Sequence, residues 1–143
     1  MSGKPNTSET STLTPPLNVR ALKGKRGVQR LVNATRYSLD GLKACWASED
    51  AFRQEVIVAI VVIPLALALP FALAEKVLLV GVVWLVLIVE LLNTGIEAAV
   101  DRDSLEINSL GKRAKDIGSA AVMLSLALAA GTWVAIFWHH FVS

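Results

Sequence analysis

The stretch Val77–Val100 reads VLLVGVVWLVLIVELLNTGIEAAV, and Asp101 follows it directly. Its only charged side chains are Glu90 and Glu97, and it exceeds the roughly 20 apolar residues with which an α-helix crosses a lipid bilayer. An ionisable group inside such a span is energetically costly and usually faces protein or a water-filled site, so it is a candidate functional group by default. The stretch therefore predicts a transmembrane helix that carries the chemistry of this chain.

Four polar side chains of this stretch share one helix face. Glu90, Asn93, Glu97 and Asp101 are spaced i, i+3, i+7 and i+11, which places them within about 80° of one another at 100° per residue. Glu90 is expected inside the hydrocarbon core, Glu97 near the interface and Asp101 in water. This stripe favours Glu90 as a base acting on a membrane-embedded substrate and Glu97 as a cation ligand. Two simpler interpretations stay open: Glu90 as a hydrogen-bonding link between helices, and Asp101 as a solvated helix end.

Two further stretches are apolar and uncharged, namely Val56–Ala74 and Ile117–Trp138. With 54% hydrophobic residues and a mean hydropathy of +0.54, the chain is too apolar for an ordinary soluble domain. It is predicted to be an all-α polytopic membrane protein with three transmembrane helices, at about residues 50–74, 77–100 and 117–138.

The N-terminal part of the chain has a different composition. Residues 1–25 are rich in Ser, Thr, Pro and Asn and are predicted to be a disordered leader, which leaves 26–143 as one membrane domain. From about residue 27 to 47, apolar residues recur at helical spacing between polar ones. This pattern predicts an amphipathic helix in the membrane interface, with Tyr37 and Trp46 at the level of the lipid headgroups.

Local signals mark the ends of the first span. Ser48 is expected to cap the helix that enters it, with Glu49 and Asp50 in the first turn, where carboxylates suit the helix dipole. Pro64 and Pro70 are expected to bend this span or to end it early.

The distribution of basic residues predicts the orientation. Residues 1–55 hold nine of the 14 Lys and Arg residues, and residues 101–116 hold four more. The positive-inside rule therefore places the N-terminus and the 101–116 loop in the cytoplasm. The net charge of +2 is too small to suggest binding to nucleic acid. Cys45 is the only cysteine, which excludes a disulfide within the chain.

The 101–116 loop also holds a candidate nucleotide site. Arg113, Lys115 and Asp116 precede a helix expected to start near Ile117, and they follow the acidic stripe along the chain. Basic side chains beside acidic metal ligands suit a nucleotide polyphosphate with Mg²⁺. Anchoring of the loop by its positive charges is an equally good interpretation. The sequence contains neither GxxxxGK[ST] nor GxGxxG.

Three segments resemble the prokaryotic diacylglycerol kinases. They are ELLNTGIEAAVD over Glu90–Asp101, AFRQE over Ala51–Glu55 and RAKDIGSAAV over Arg113–Val122, and the resemblance extends over about residues 26–138. Gly95 stands where that family usually has Ser or Ala, and Asn108 where it often has His.

The resemblance implies ATP-dependent phosphorylation of diacylglycerol to phosphatidic acid in the bacterial inner membrane. It implies a homotrimer of three-span subunits with shared active sites. It also implies that Glu90 is the general base and that Asn93 helps to orient the site. Mg²⁺ would be bound by Glu49 and Glu97. The nucleotide would contact Arg30, Tyr37, Glu49, Glu97, Glu106, Asn108, Lys115 and Asp116. The lipid would contact Arg30, Trp46, Arg53, Gln54, Glu55, Glu90 and Ser119.

An oligomer is also expected on physical grounds, because a lone three-helix unit has little interior in which to hide Glu90 and Asn93 from lipid. Two alternative functions remain. The related undecaprenol kinases act on a polyprenyl alcohol and would carry a similar stripe. A small cation channel or interaction module would use the stripe without catalysis, although Glu49 and Lys115 argue against a pore.

Overall fold

The computed structural model describes residues 27–103 and 109–142. Over these residues the chain forms four α-helices, and no strand is found among them. The helices are α1 (Val28–Ser48), α2 (Asp50–Ala68), α3 (Leu73–Asp103) and α4 (Ser109–Phe141). Helices α2, α3 and α4 are long and apolar enough to cross a membrane. The protein is therefore an all-α, multi-pass membrane protein, as predicted, and the predicted leader lies outside the described residues.

Helix α1 agrees with the predicted amphipathic helix to within one residue at each end. It begins after Gly27, whose φ of 76° lies in the left-handed region that favours glycine. Its apolar residues Val28 and Leu31 are 78% and 69% exposed, as expected for a face that would enter the membrane interface. Residues 27–37 belong to one compact unit and residues 38–142 to a second, which holds the three spans.

The junction between α1 and α2 differs from the prediction. Ser48 is the last residue of α1, and Glu49 occupies the N-cap of α2 in an extended conformation without a side-chain capping hydrogen bond. The prediction that Ser48 caps α2 is wrong, because a residue in helical conformation cannot also have the extended backbone of an N-cap. The Glu49 amide donates instead to the carbonyl oxygen of Cys45, at 2.9 Å. Glu49 is thus held by the end of the preceding helix.

The turn between α2 and α3 lies earlier than predicted. Helix α2 contains Pro64 and ends at Ala68, so the predicted span at 50–74 is too long at its C-terminal end. Pro70 follows at once, and it cannot continue a helix because it lacks an amide hydrogen. Two side chains satisfy backbone groups in the turn. Glu75 accepts a hydrogen bond from the Ala72 amide at 2.8 Å, and Lys76 donates to the carbonyl oxygen of Leu67 at 2.7 Å.

Helices α3 and α4 are longer than the predicted spans at both ends. Helix α3 packs against both α2 and α4, and the buried apolar side chains form two clusters. One comprises Cys45, Phe52, Ala59 and Leu87, and the other comprises Ala66, Phe71 and Leu79. The first cluster ends one helical turn before Glu90, so it supports the part of α3 that carries the acidic stripe.

Candidate active site

Glu90 is buried within a single chain. Its side chain is 4% exposed, and Val86 and Leu87, one turn earlier on the same helix, are 6% and 8% exposed. The prediction of a buried carboxylate in the second span is therefore confirmed. Side chains of its own chain already cover Glu90, so its burial alone does not require a second subunit, and the expected oligomer stays a prediction.

Three carboxylates from different parts of the chain interact electrostatically with Glu90. It interacts electrostatically with Glu49, at the junction of α1 and α2, and with Glu97, two turns later on α3. Glu55, in the second turn of α2, also interacts with Glu90. Each of these three carboxylates repels Glu90 when both are ionised, so the site favours a bound cation. Among residues 27–103 and 109–142, no three His, Cys, Asp or Glu side chains form a ready-made metal cage.

Asn93 links the stripe internally. Its amide nitrogen Nδ2 donates a hydrogen bond to Glu97 Oε1 at 3.2 Å. Its amide oxygen Oδ1 is buried and makes no hydrogen bond. This contact fixes one oxygen of Glu97 and leaves the other for a different partner.

Cys45 and Thr94 belong to the same region, and the sequence analysis did not identify them. Cys45 Sγ lies 3.4 Å from Thr94 Oγ1, which joins the end of α1 to α3. Burial raises the pKa of the Cys45 thiol, the Thr94 hydrogen bond lowers it, and the carboxylates of Glu49, Glu90 and Glu55 raise it further. The sequence spacing could have indicated Thr94. It follows Glu90 by four residues and so lies about 40° from it around the helix.

A basic side chain approaches the stripe from α4. Lys115 Nζ donates to both carboxylate oxygens of Asp101, at 2.9 and 3.1 Å, and interacts electrostatically with Glu97 and Glu49. Asp116 accepts a hydrogen bond from Lys112 at 2.8 Å. Lys115 and Asp116 lie inside α4 and not in a loop before it, because α4 begins at Ser109. The structure thus brings Lys115 to the stripe, while Asp116 pairs along its own helix.

The residues expected around the lipid are distributed over two places. Arg53 pairs with Asp50 and donates to the carbonyl oxygens of Trp46 and Ala47, at 2.8 and 3.3 Å, so it caps the end of α1. Glu55 Oε2 is buried without a hydrogen bond and faces a cavity of about 560 Å³. This cavity is lined mainly by apolar side chains of α2, α3 and α4, including Val62, Val86, Leu126 and Trp133, with Gln54 and Glu55 as its polar members.

The remaining predicted residues are exposed or lie outside the described residues. Arg30, Tyr37, Trp46 and Ser119 are exposed. Trp46 lines a shallow groove with Leu39, Leu42, Lys43, Phe52 and Val56. Glu106 and Asn108 lie outside the described residues.

Comparison with known proteins identifies the family. Residues 36–137 match the prokaryotic diacylglycerol kinase family. The diacylglycerol kinase of Pseudomonas aeruginosa is 49% identical over 114 residues, which cover 80% of this chain and 93% of that protein. The enzyme of Escherichia coli is 44% identical over 115 residues (80% and 94%), and that of Haemophilus influenzae is 42% identical over 107 residues (75% and 91%). These matches confirm the resemblance and the predicted enzyme class. The chain therefore belongs to the prokaryotic diacylglycerol kinase family.

Proposed function

We propose that this protein transfers the γ-phosphoryl group of ATP to the free hydroxyl of membrane diacylglycerol, which yields phosphatidic acid and ADP. The observation that carries the proposal is the position of Glu90. It is a nearly fully buried carboxylate within a span, and Glu49, at the junction of α1 and α2, interacts with it electrostatically. A lipid hydroxyl can meet a phosphate donor at such a boundary between the membrane core and a charged site.

Glu90 acts as the general base. The lipid hydroxyl oxygen forms a bond to the γ-phosphorus, the bond from that phosphorus to the bridging oxygen of ADP breaks, and the hydroxyl proton passes to Glu90. Asn93 contributes by orienting Glu97 through its hydrogen bond. Positioning of the reacting groups is the main contribution of the protein, because phosphoryl transfer requires little covalent chemistry from it.

Glu49 and Glu97 would hold Mg²⁺ together with the ATP phosphates. Mg²⁺ takes oxygen ligands and is usually bound by one or two carboxylates plus substrate phosphates. The donor set fits that pattern, since Glu49 and Glu97 are two carboxylates that both interact electrostatically with Glu90. When bound, Mg²⁺ neutralises charge on the transferring phosphoryl group.

The nucleotide is held by two residues of α4 and by residues from other parts of the chain. Lys115 supplies positive charge beside Glu97, and Asp116 lies next to it on α4. The other nucleotide-binding residues in this proposal are Arg30, Tyr37, Glu106 and Asn108, which follow from the family resemblance.

The lipid lies with its acyl chains against apolar surface and its head near Glu90. The cavity between α2, α3 and α4 supports this arrangement, because its polar members Gln54 and Glu55 stand where a lipid headgroup would meet an apolar lining. The other proposed lipid contacts are Arg30, Trp46, Arg53 and Ser119.

The proposed assembly is a homotrimer with shared active sites in the bacterial cytoplasmic membrane, its N-terminus facing the cytoplasm. The excess of Lys and Arg in residues 1–55 and 101–116 supports the orientation. Within a single chain, only 17%, 28% and 6% of the most apolar 18-residue stretch is buried in α2, α3 and α4, respectively. Lipid and neighbouring subunits would cover the rest.

An assay on purified protein tests this function. Labelled ATP and Mg²⁺ are incubated with the full chain and a panel of lipid alcohols that includes diacylglycerol and undecaprenol. Label in phosphatidic acid is the expected result. Label only in the polyprenyl phosphate would instead assign an undecaprenol kinase, and no label in any lipid would point to a non-enzymatic membrane protein.

A further inference from the structure

Gly118 faces Asn93 across the contact between α4 and α3. It is one of the few buried residues of α4. A β-carbon built at this position would overlap Asn93 Oδ1 and would lie 3.3 Å from Asn93 Cγ. The space that a side chain would fill at residue 118 is therefore taken by the amide of Asn93.

The orientation of that amide is decided by its other contact. A carboxylate only accepts hydrogen bonds, so the Asn93 group facing Glu97 must be the NH₂ group, in agreement with the contact of 3.2 Å. The amide oxygen then points at the backbone of α4, where it is buried without a hydrogen bond. A Cα–H group of glycine is a weak donor to such an oxygen, and it is the only substituent small enough to leave the amide in place.

We propose that Gly118 is a positioning residue for the active site. Its missing side chain forms the recess that seats the Asn93 amide, and the seated amide holds Glu97 in the orientation that binds the metal–nucleotide complex. This inference rests on the proposed roles of Asn93 and Glu97. It assigns a function in nucleotide use to a residue that touches neither substrate.

The chain offers two matched control positions. Gly131 lies on the same helix as Gly118, and Gly95 lies on the same helix as Asn93, yet a β-carbon at either position meets nothing within 4 Å. Alanine at all three positions raises helix propensity equally. Only Gly118→Ala is expected to displace Asn93, so the difference between the variants isolates the contact.

The test combines kinetics with a double-mutant cycle on the purified full-length protein. Gly118→Ala is expected to raise the KM for Mg·ATP about tenfold, as for one lost charge-assisted hydrogen bond, with the KM for diacylglycerol unchanged. Gly131→Ala and Gly95→Ala should match the wild type. Kinetics of Gly118→Ala that equal those of Gly131→Ala would overturn the proposal.

The melting temperature separates seating of Asn93 from general damage to the helix contact. Gly118→Ala should lower the melting temperature in the wild-type background. It should not do so in an Asn93→Ala background, because the added methyl group then has no Asn93 amide to displace. If the Gly118→Ala variant does not accumulate, the proposal requires that the double variant Gly118→Ala with Asn93→Ala does accumulate. An equal loss in both backgrounds would contradict seating. An Asn93→Ala variant with an unchanged KM for Mg·ATP would overturn the role of the Asn93–Glu97 pair in nucleotide use, while the melting temperatures would still report whether Gly118 seats Asn93.

Discussion

Lys115 on α4 donates hydrogen bonds to both carboxylate oxygens of Asp101 on α3, at 2.9 and 3.1 Å. Asp101 is therefore tied to α4, although its side chain stays largely exposed. The pair joins the helix that carries the acidic stripe to the helix that carries the basic residues. Because the pair is partly exposed, solvent screens it and it adds little to folding stability. In the proposed site, the pair holds the ammonium group where it interacts with Glu97.

Replacement of Lys115 is expected to impair nucleotide use. Lys115→Met should raise the KM for Mg·ATP about tenfold or more, because it removes a cation that interacts with both proposed metal ligands, Glu97 and Glu49. Asp101→Asn should have a smaller effect, since it weakens only the anchor of that cation. Lys76→Met is the control, because Lys76 lies at the turn between α2 and α3 and contacts the carbonyl oxygen of Leu67. Equal losses in the Lys76 and Lys115 variants would mean that general positive charge, not this pair, matters.

Glu97→Gln is expected to remove activity by weakening use of Mg·ATP while the fold remains intact. A carboxamide is a poor ligand for a hard divalent cation, and the same argument applies to Glu49→Gln. Titration of Mg²⁺ at fixed ATP should show a requirement at least about tenfold higher in both variants. Glu75→Gln, at the turn between α2 and α3, serves as the control. A normal response to low Mg²⁺ in either variant removes that residue from the metal site.

The sequence predicted the spans and the stripe because both depend on local periodicity. Hydrophobic length located α2, α3 and α4, and angular spacing brought Glu90, Asn93 and Glu97 to one face of α3. What it missed depends on packing between helices. The burial of Glu90 by its own chain, the recess at Gly118 and the contact from Cys45 to Thr94 join residues far apart in the sequence, and no periodic pattern encodes them.

Helix ends were predicted less well than helix interiors. The Ser48 cap was a good local motif, but α1 continues one residue further and moves the cap to Glu49. Lys115 was assigned to a loop because its neighbours are charged, although α4 already begins at Ser109. Polar residues at the membrane surface form helices as readily as loops, so hydropathy alone does not reveal where such a helix starts.

Cys45 is expected to make stability sensitive to alkaline pH. Burial raises the pKa of this thiol above its ordinary value, so the folded state holds the proton more tightly than the unfolded chain does. The resulting stabilisation is complete below the pKa of the unfolded thiol, about 8.5, and is lost as the pH rises towards the raised value. Melting temperatures measured between about pH 7 and pH 10 should fall more for wild type than for Cys45→Ser. Parallel curves would contradict this assignment.

Shared active sites should reveal themselves by complementation. Glu49, Glu90 and Glu97 interact within one chain, so the informative pair joins the stripe to the N-terminal helix. If Arg30 serves the stripe of a neighbouring subunit, mixed trimers of Arg30→Ala and Glu97→Ala should regain about one quarter of wild-type activity, the share of intact sites after random equal mixing. Sites built within one chain would give no recovery at any mixing ratio.

The central claim is that Glu90 is the general base, and the variant Glu90→Gln tests it most directly. The amide keeps the shape and hydrogen bonding of the carboxylate but cannot accept the proton of the lipid hydroxyl. The decisive measurement is kcat together with the melting temperature of this one variant. The account predicts a kcat reduced by about 100-fold or more, with a melting temperature close to that of wild type. A variant that melts markedly earlier yet turns over at nearly the wild-type rate would contradict it and leave Glu90 as a structural link between helices.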